Sequence, residues 1–163
     1  MQGATAVGAV ALVIAMAALA FNLGTLQAEL VAQSGQPDAV FPAGALFGVM
    51  LIGLSIVAML FVFFGRLRAI INTVSIGDPF VPANAERLSL MAWLMLGIQL
   101  LILSAIPLAL QLAKVANEFG EGVTIKADGG LDLSGILLVI ILFILARVFR
   151  HGAAMREDLE GTV

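Results

Sequence analysis

The chain has 163 residues, 61% of them apolar and 12% charged, with a mean hydropathy of +1.11 and a formal net charge of −3. Soluble domains are roughly half apolar and about a quarter charged, so the composition excludes an ordinary water-soluble globule and points to the bilayer. The absence of cysteine excludes a disulfide framework and a thiolate metal site, and the absence of a basic run argues against direct nucleic-acid binding.

A bilayer core of ~30 Å needs about 20 apolar residues at helical rise. Four windows qualify, near residues 3–23, 43–64, 88–112 and 133–149. The first has no Lys or Arg ahead of its apolar run and is too long for a secretory signal, so it is read as a retained span. The second opens with Gly44 and Gly48, a small-residue step suited to close helix packing. The third contains Pro107, which should kink the helix or leave the Leu103 carbonyl free. The fourth is free of charge only from Leu133 to Ala146, so Arg147 must reach back to the interface.

The segments between the windows divide by charge. Arg66, Arg68 and Arg87 fall between windows two and three, and Arg147, Arg150 and Arg156 fall at the C-terminal end. Lys114 and Lys126 fall on the other side. The positive-inside rule then places the middle loop and both termini in the cytoplasm, in a multi-pass protein of a bacterial inner membrane. Of the two outward segments, the first carries the turn sequence SGQPD. The second combines β-prone Val123, Thr124 and Ile125 with a turn signal at Asp128, Gly129 and Gly130, which suggests a small hairpin-like lobe.

The windows hold little chemistry. Pumps, channels and intramembrane enzymes bury ionisable groups, and these windows have none in their centres. Asn22, Ser55, Gln99 and Ser104 stand alone, with Asn22 and Gln99 able to hydrogen-bond across helices. His151 has no second ligand at helical spacing. Asp38, Glu118, Glu121, Asp128 and Asp132 match no known calcium loop. The expectation is no enzyme, no cofactor and no metal site, and a small transporter or channel subunit is disfavoured.

The arginine side is richer. Leu67, Ile70, Ile71 and Val74 recur at helical spacing beyond the second window, so that helix should continue past Gly65 until Gly77, Asp78 and Pro79 stop it. Asn84 reads as the cap of the next helix, with Glu86 and Arg87 in its first turn. The fourth helix should run two or three turns past the membrane, with Leu145, Phe149, Gly152 and Leu159 near one stripe and Met155 beside it. The tail, residues 150–163, is expected to pack on the loop around Phe149 and the turn at Gly77 to Phe80. Arg87 or Arg68 would there meet Glu157, Asp158 or Glu160.

Two stretches carry a resemblance. IGDPFVPANAERL resembles a Gly-x-Pro-Phe…Asn…Arg-Leu segment, and ILARVFRHGAAMREDLEGTV resembles the tail, of a bacterial family of four-span membrane proteins called domain of unknown function 2975. Members of that family are often encoded beside a small helix-turn-helix regulator, so the resemblance implies such a partner.

These readings converge on one expectation. The chain is an all-α integral membrane protein, a four-transmembrane-helix bundle with a cytoplasmic helical extension and a small extracytoplasmic lobe. It is a single membrane domain over residues 1–163, in contact with lipid. Its function would be to regulate or anchor a cytoplasmic helix-turn-helix transcription regulator. The expected partner surface comprises Arg66, Arg68, Asp78, Pro79, Phe80, Asn84, Arg87, Phe149, Arg150, Met155 and Leu159. The alternative is a structural or accessory subunit of a larger membrane complex, touching its neighbours along the spans; a homo-oligomer is left open.

Overall fold

In hydrocarbon every backbone N–H and C=O must find its partner inside the segment, which leaves helix as the outcome for an apolar run of this length. Four helices result: α1 (Gln2–Ser34), α2 (Ala43–Ser75), α3 (Pro82–Phe119) and α4 (Leu133–Glu160). This computed structural model describes residues 2–34, 42–119 and 132–160, and among them there is no strand. All four helices are long and apolar enough to cross a membrane. The fold is thus all-α and multi-pass. The hairpin expected around Val123 to Gly130 and the turn after Ser34 lie outside the described residues.

The helices overrun the apolar windows. Hydropathy marks the part of a helix that lipid tolerates, whereas the helix itself continues until local chemistry stops it. α2 passes Arg66 and Arg68 and ends at Gly77, which adopts φ 89°. There the Gly77 N–H donates to the Val74 carbonyl at 3.0 Å and the Asp78 N–H to the Thr73 carbonyl at 3.1 Å. These are the paired bonds of a Schellman end, and glycine alone takes the left-handed position at little cost. α3 begins at Pro82, whose missing N–H is not needed at a first helical position. α3 also runs unbroken through Pro107. The Asp132 side chain caps α4, its Oδ1 accepting from the Ser134 N–H at 3.1 Å.

The chain divides into two compact units. One comprises Met1–Thr5, Ala58–Leu100 and Leu131–Val163, hence the second half of α2, the first half of α3 and all of α4. Its core is Ile70, Leu88, Met91, Ala92, Leu142 and Ala146, flanked by Phe63, Leu67, Met95, Phe143 and Phe149. Trp93 meets Phe143 edge to face at 5.4 Å. The other unit comprises Ala6–Val57 and Leu101–Gly130. There Ala45 and Ala113 are buried, and Gly48 admits Leu108 so closely that a Cβ would sit 2.8 Å from its Cδ1. Such close approach over small residues is how membrane helices associate, because burial from water cannot drive them together. Meanwhile large apolar side chains stand outward, Phe21 at 90% exposure and Ile144 at 58%. In water that surface would be an aggregation hazard; against lipid it is the ordinary state.

The isolated polar residues of the spans are satisfied locally. Asn22 donates to the Ala18 carbonyl of its own helix at 2.8 Å rather than across helices. Ser55 and Ser104 likewise donate to carbonyls one turn back. Gln99 does cross to a neighbour, its amide lying against the backbone of α4 at Gly135.

Candidate functional site at the arginine-rich turn

The turn between α2 and α3 is tied by one amide. Asn84 is fully buried, at 0% exposure. Its Nδ2 donates to Thr73 Oγ1 at 2.7 Å and to the Pro79 carbonyl at 2.9 Å. Thr73 Oγ1 passes its own proton to the Ile70 carbonyl at 2.7 Å. Asn84 Oδ1 accepts from Arg87 Nη1 at 2.8 Å, and that guanidinium reaches on to the Ala69 carbonyl at 3.4 Å. Both amide hydrogens and the amide oxygen are used, so the side chain bears its burial without an orphaned group. Asn84 is therefore not the helix cap. The Val81 carbonyl accepts the Asn84 N–H at 2.9 Å, and Asn84 sits inside the first turn, clamping the end of α2 to the start of α3.

α4 closes over this turn. The Phe149 ring lies 5.4 Å from the Phe80 ring, tilted by 43°. Gly152, one turn on, lies under the same ring: a Cβ there would come within 2.7 Å of Phe80 Cδ1. Arg156, one turn further, forms an ion pair with Asp78. Both partners of that pair are largely solvated, so it is worth ~0–1 kcal/mol and orients the tail more than it holds it.

The structure brings some of the expected surface together and separates the rest. Asp78, Pro79, Phe80, Asn84, Arg87 and Phe149 belong to the tied turn. Arg66 and Arg68 are exposed on α2. Arg150 and Met155 are exposed on α4, and the side chain of Leu159 lies outside the described residues. An ion pair of opposite sense to the expected bridge from Arg87 or Arg68 to Glu157, Asp158 or Glu160 is formed, with the acid on the turn and the cation on the tail; the side chain of Glu160 lies outside the described residues. Arg87 is turned inward to Asn84 instead. The two apolar stripes also shift. On α2, Ile70 is buried while Ile71 and Val74 are exposed. On α4 the inward stripe is Val139, Leu142, Ala146, Phe149 and Ala153, at alternating steps of three and four residues, and Leu145 faces out. Ala146 and Ala153 share the side that faces protein with Val139, Leu142 and Phe149, small residues letting the neighbouring helices approach.

Reading the sequence alone placed Gly152 on the tail stripe without its contact to Phe80, and missed Thr73 and Arg156 as parts of the joint. A glycine inside a helix costs about 1 kcal/mol relative to alanine, so Gly152 did carry a signal of close approach. Nothing local marked Thr73 or Arg156.

Of the clefts beside α4 at this level, two border Arg147 and His151. One, of about 580 Å³, is lined by Ser89, Phe143, Ala146, Arg147, Arg150, His151 and Ala154. The other, of about 670 Å³, is lined by Phe80, Ile144, Arg147, Val148, His151, Gly152 and Met155. Of the acids considered as a calcium site, Asp132 is occupied in capping α4, Asp38, Glu121 and Asp128 lie outside the described residues, and so does the side chain of Glu118.

The family model described as protein of unknown function (DUF2975) matches residues 27–163. No curated protein and no solved structure matches the chain.

Proposed function

Since the chain belongs to the family described as protein of unknown function (DUF2975), we propose its role from its surface: it is a non-enzymatic membrane protein that holds or releases a cytoplasmic helix-turn-helix transcription regulator. The bundle is the anchor. The tied turn, together with the end of α4, is the docking surface, and it faces the cytoplasm of a bacterial cell with both termini.

One observation carries this reading. The turn is rigid beyond what a connector between two spans needs, yet its rim is apolar. Ile71, Val74 and Phe80 are exposed, and Ile76 is exposed to 83%. A preorganised frame with apolar groups among charges supports protein recognition, because little ordering entropy remains to be lost on binding. The charge pattern supports the cytoplasmic side through the positive-inside rule.

The test is partner capture. The full chain and a chain lacking residues 155–163 are purified in mild detergent, and retained proteins are identified by mass spectrometry. The expected outcome is a small DNA-binding protein with the full chain and its loss on truncation, with both forms equally inserted. Retention of membrane subunits by both forms would instead favour the accessory-subunit reading, with contacts along the spans.

A further inference from the structure

The two clefts beside α4 share a wall, and that wall is cationic. Arg147, Arg150 and His151 stand at i, i+3 and i+4 and therefore on one face of the helix. None of the three has a hydrogen bond or ion pair among the described residues. All three line the first cleft, where α3 contributes the Ser89 hydroxyl, and no acid is among its described lining residues. Arg147 and His151 also line the second cleft, whose other walls are Phe80, Ile144, Val148, Gly152 and Met155. A polar, cationic recess thus opens across one helical ridge onto an apolar one. Both clefts fall in the size range of small-molecule sites.

We propose that this pair of clefts seats one anionic phospholipid of the leaflet on the arginine side. The phosphate lies against Arg147, Arg150, His151 and Ser89, and an acyl chain runs along Ile144, Val148 and Met155. The two guanidinium groups offer planar donor forks suited to phosphate oxygens. The imidazole donates through an N–H, and the hydroxyl supplies a further donor. A zwitterionic headgroup would bring its own cation against three basic side chains, with no acid among the described lining residues. A free phosphate would leave the apolar cleft unused. Basic pockets beside membrane helices are where anionic headgroups bind. This reading shares Phe80 and the Met155 end of α4 with the regulator proposal but needs no protein partner; it assigns Arg150 and Met155 to lipid and leaves Asp78, Ile71, Val74 and Ile76 to a protein.

Native mass spectrometry of the detergent-purified full chain tests it, with phosphatidylglycerol and phosphatidylcholine of identical acyl chains offered in equal amounts. The expected result is preferential retention of phosphatidylglycerol by roughly tenfold or more, lost in the R147Q/R150Q double variant and kept in R68Q, which removes an exposed arginine outside the clefts. A phosphatidylglycerol carrying a photoreactive acyl chain should label the peptide from Ile144 to Met155 in the unaltered protein, a readout that needs no variant. Equal retention of the two lipids overturns the proposal. So does an equal loss of preference in R68Q, which would mean diffuse charge. Displacement of the lipid by equimolar glycerol phosphate, or labelling confined to other helices, overturns it as well.

Discussion

Asn84 shows how much one side chain can decide. Burying an amide is costly unless every donor and acceptor is matched, and here Thr73, Pro79 and Arg87 supply the matches. Replacing it by alanine removes three hydrogen bonds, strands the Pro79 carbonyl and leaves the Arg87 guanidinium only its long contact to the Ala69 carbonyl. The expected loss is about 2–3 kcal/mol, read as a lower unfolding temperature in detergent, with insertion unchanged. An unaltered midpoint for N84A would show that the turn is held by packing alone. Glycines give a sharper contrast. Alanine at Gly152 would push its Cβ to 2.7 and 2.9 Å from the Phe80 ring, which is itself backed by Phe149. Overpacking of this kind costs ~1–3 kcal/mol, more than the ~1 kcal/mol gained in helix propensity. Alanine at Gly48 meets only the far end of Leu108, a flexible group that can rotate away. G152A should therefore destabilise and G48A should be close to neutral, with F80L restoring part of the loss in G152A. Equal effects of the two alanines in thermal unfolding would contradict this account.

At the scale of elements, α2 and α4 each serve two solvents. Their apolar stretches suit lipid, and both then continue as helix into a region rich in charge. Helix continues because nothing in the local sequence stops it before Gly77 on α2, and because tertiary packing offers α4 a surface. That surface is the Phe80 ring, reached by Phe149, Gly152 and, through Asp78, Arg156. These three contacts recur at three- and four-residue steps along one face of α4. The apolar contacts dominate the joint, since an exposed ion pair adds at most ~1 kcal/mol. The tail is therefore seated on the turn by ring packing and aligned by charge.

For the molecule as a whole, the distribution of charge makes the testable statement. All six arginines lie in the last third of α2, the first turns of α3 or the second half of α4, and both lysines lie elsewhere. The positive-inside rule gives the orientation to test: four crossings, with the arginine-bearing ends and both termini in the cytoplasm. A fluorescent or phosphatase reporter fused after Val163 should be active only in the form that works in the cytoplasm. Phosphatase activity from that fusion would overturn the crossing count. Moving the charge tests the same idea from the other side. Replacing Arg66, Arg68 and Arg87 by glutamine should scramble the orientation of the two reporters, because those residues hold the middle loop in place.

Composition and hydropathy determined, by themselves, that this is an all-α membrane protein with four helices long and apolar enough to cross a bilayer. They do so because the bilayer is a coarse solvent that reads only length, hydropathy and charge. Turn chemistry was legible too: Gly77, Asp78 and Pro79 end α2 where their backbone preferences require it. Which face of α4 turns inward was not legible. Leu145 and Leu142 are equal to lipid, and only the close fit against Leu88, Met91 and Ala92 selected Leu142 and Ala146. The role of Asn84 was equally hidden. A cap and a buried clamp look alike in sequence, and the difference lies in Thr73, eleven residues away, and in Arg87 turning inward. Likewise the pairing of Asp78 with Arg156, across 78 residues, and the cationic ridge between two clefts exist only once the helices are packed. Contacts between distant segments depend on where folding places their backbones, and local pattern carries no record of that.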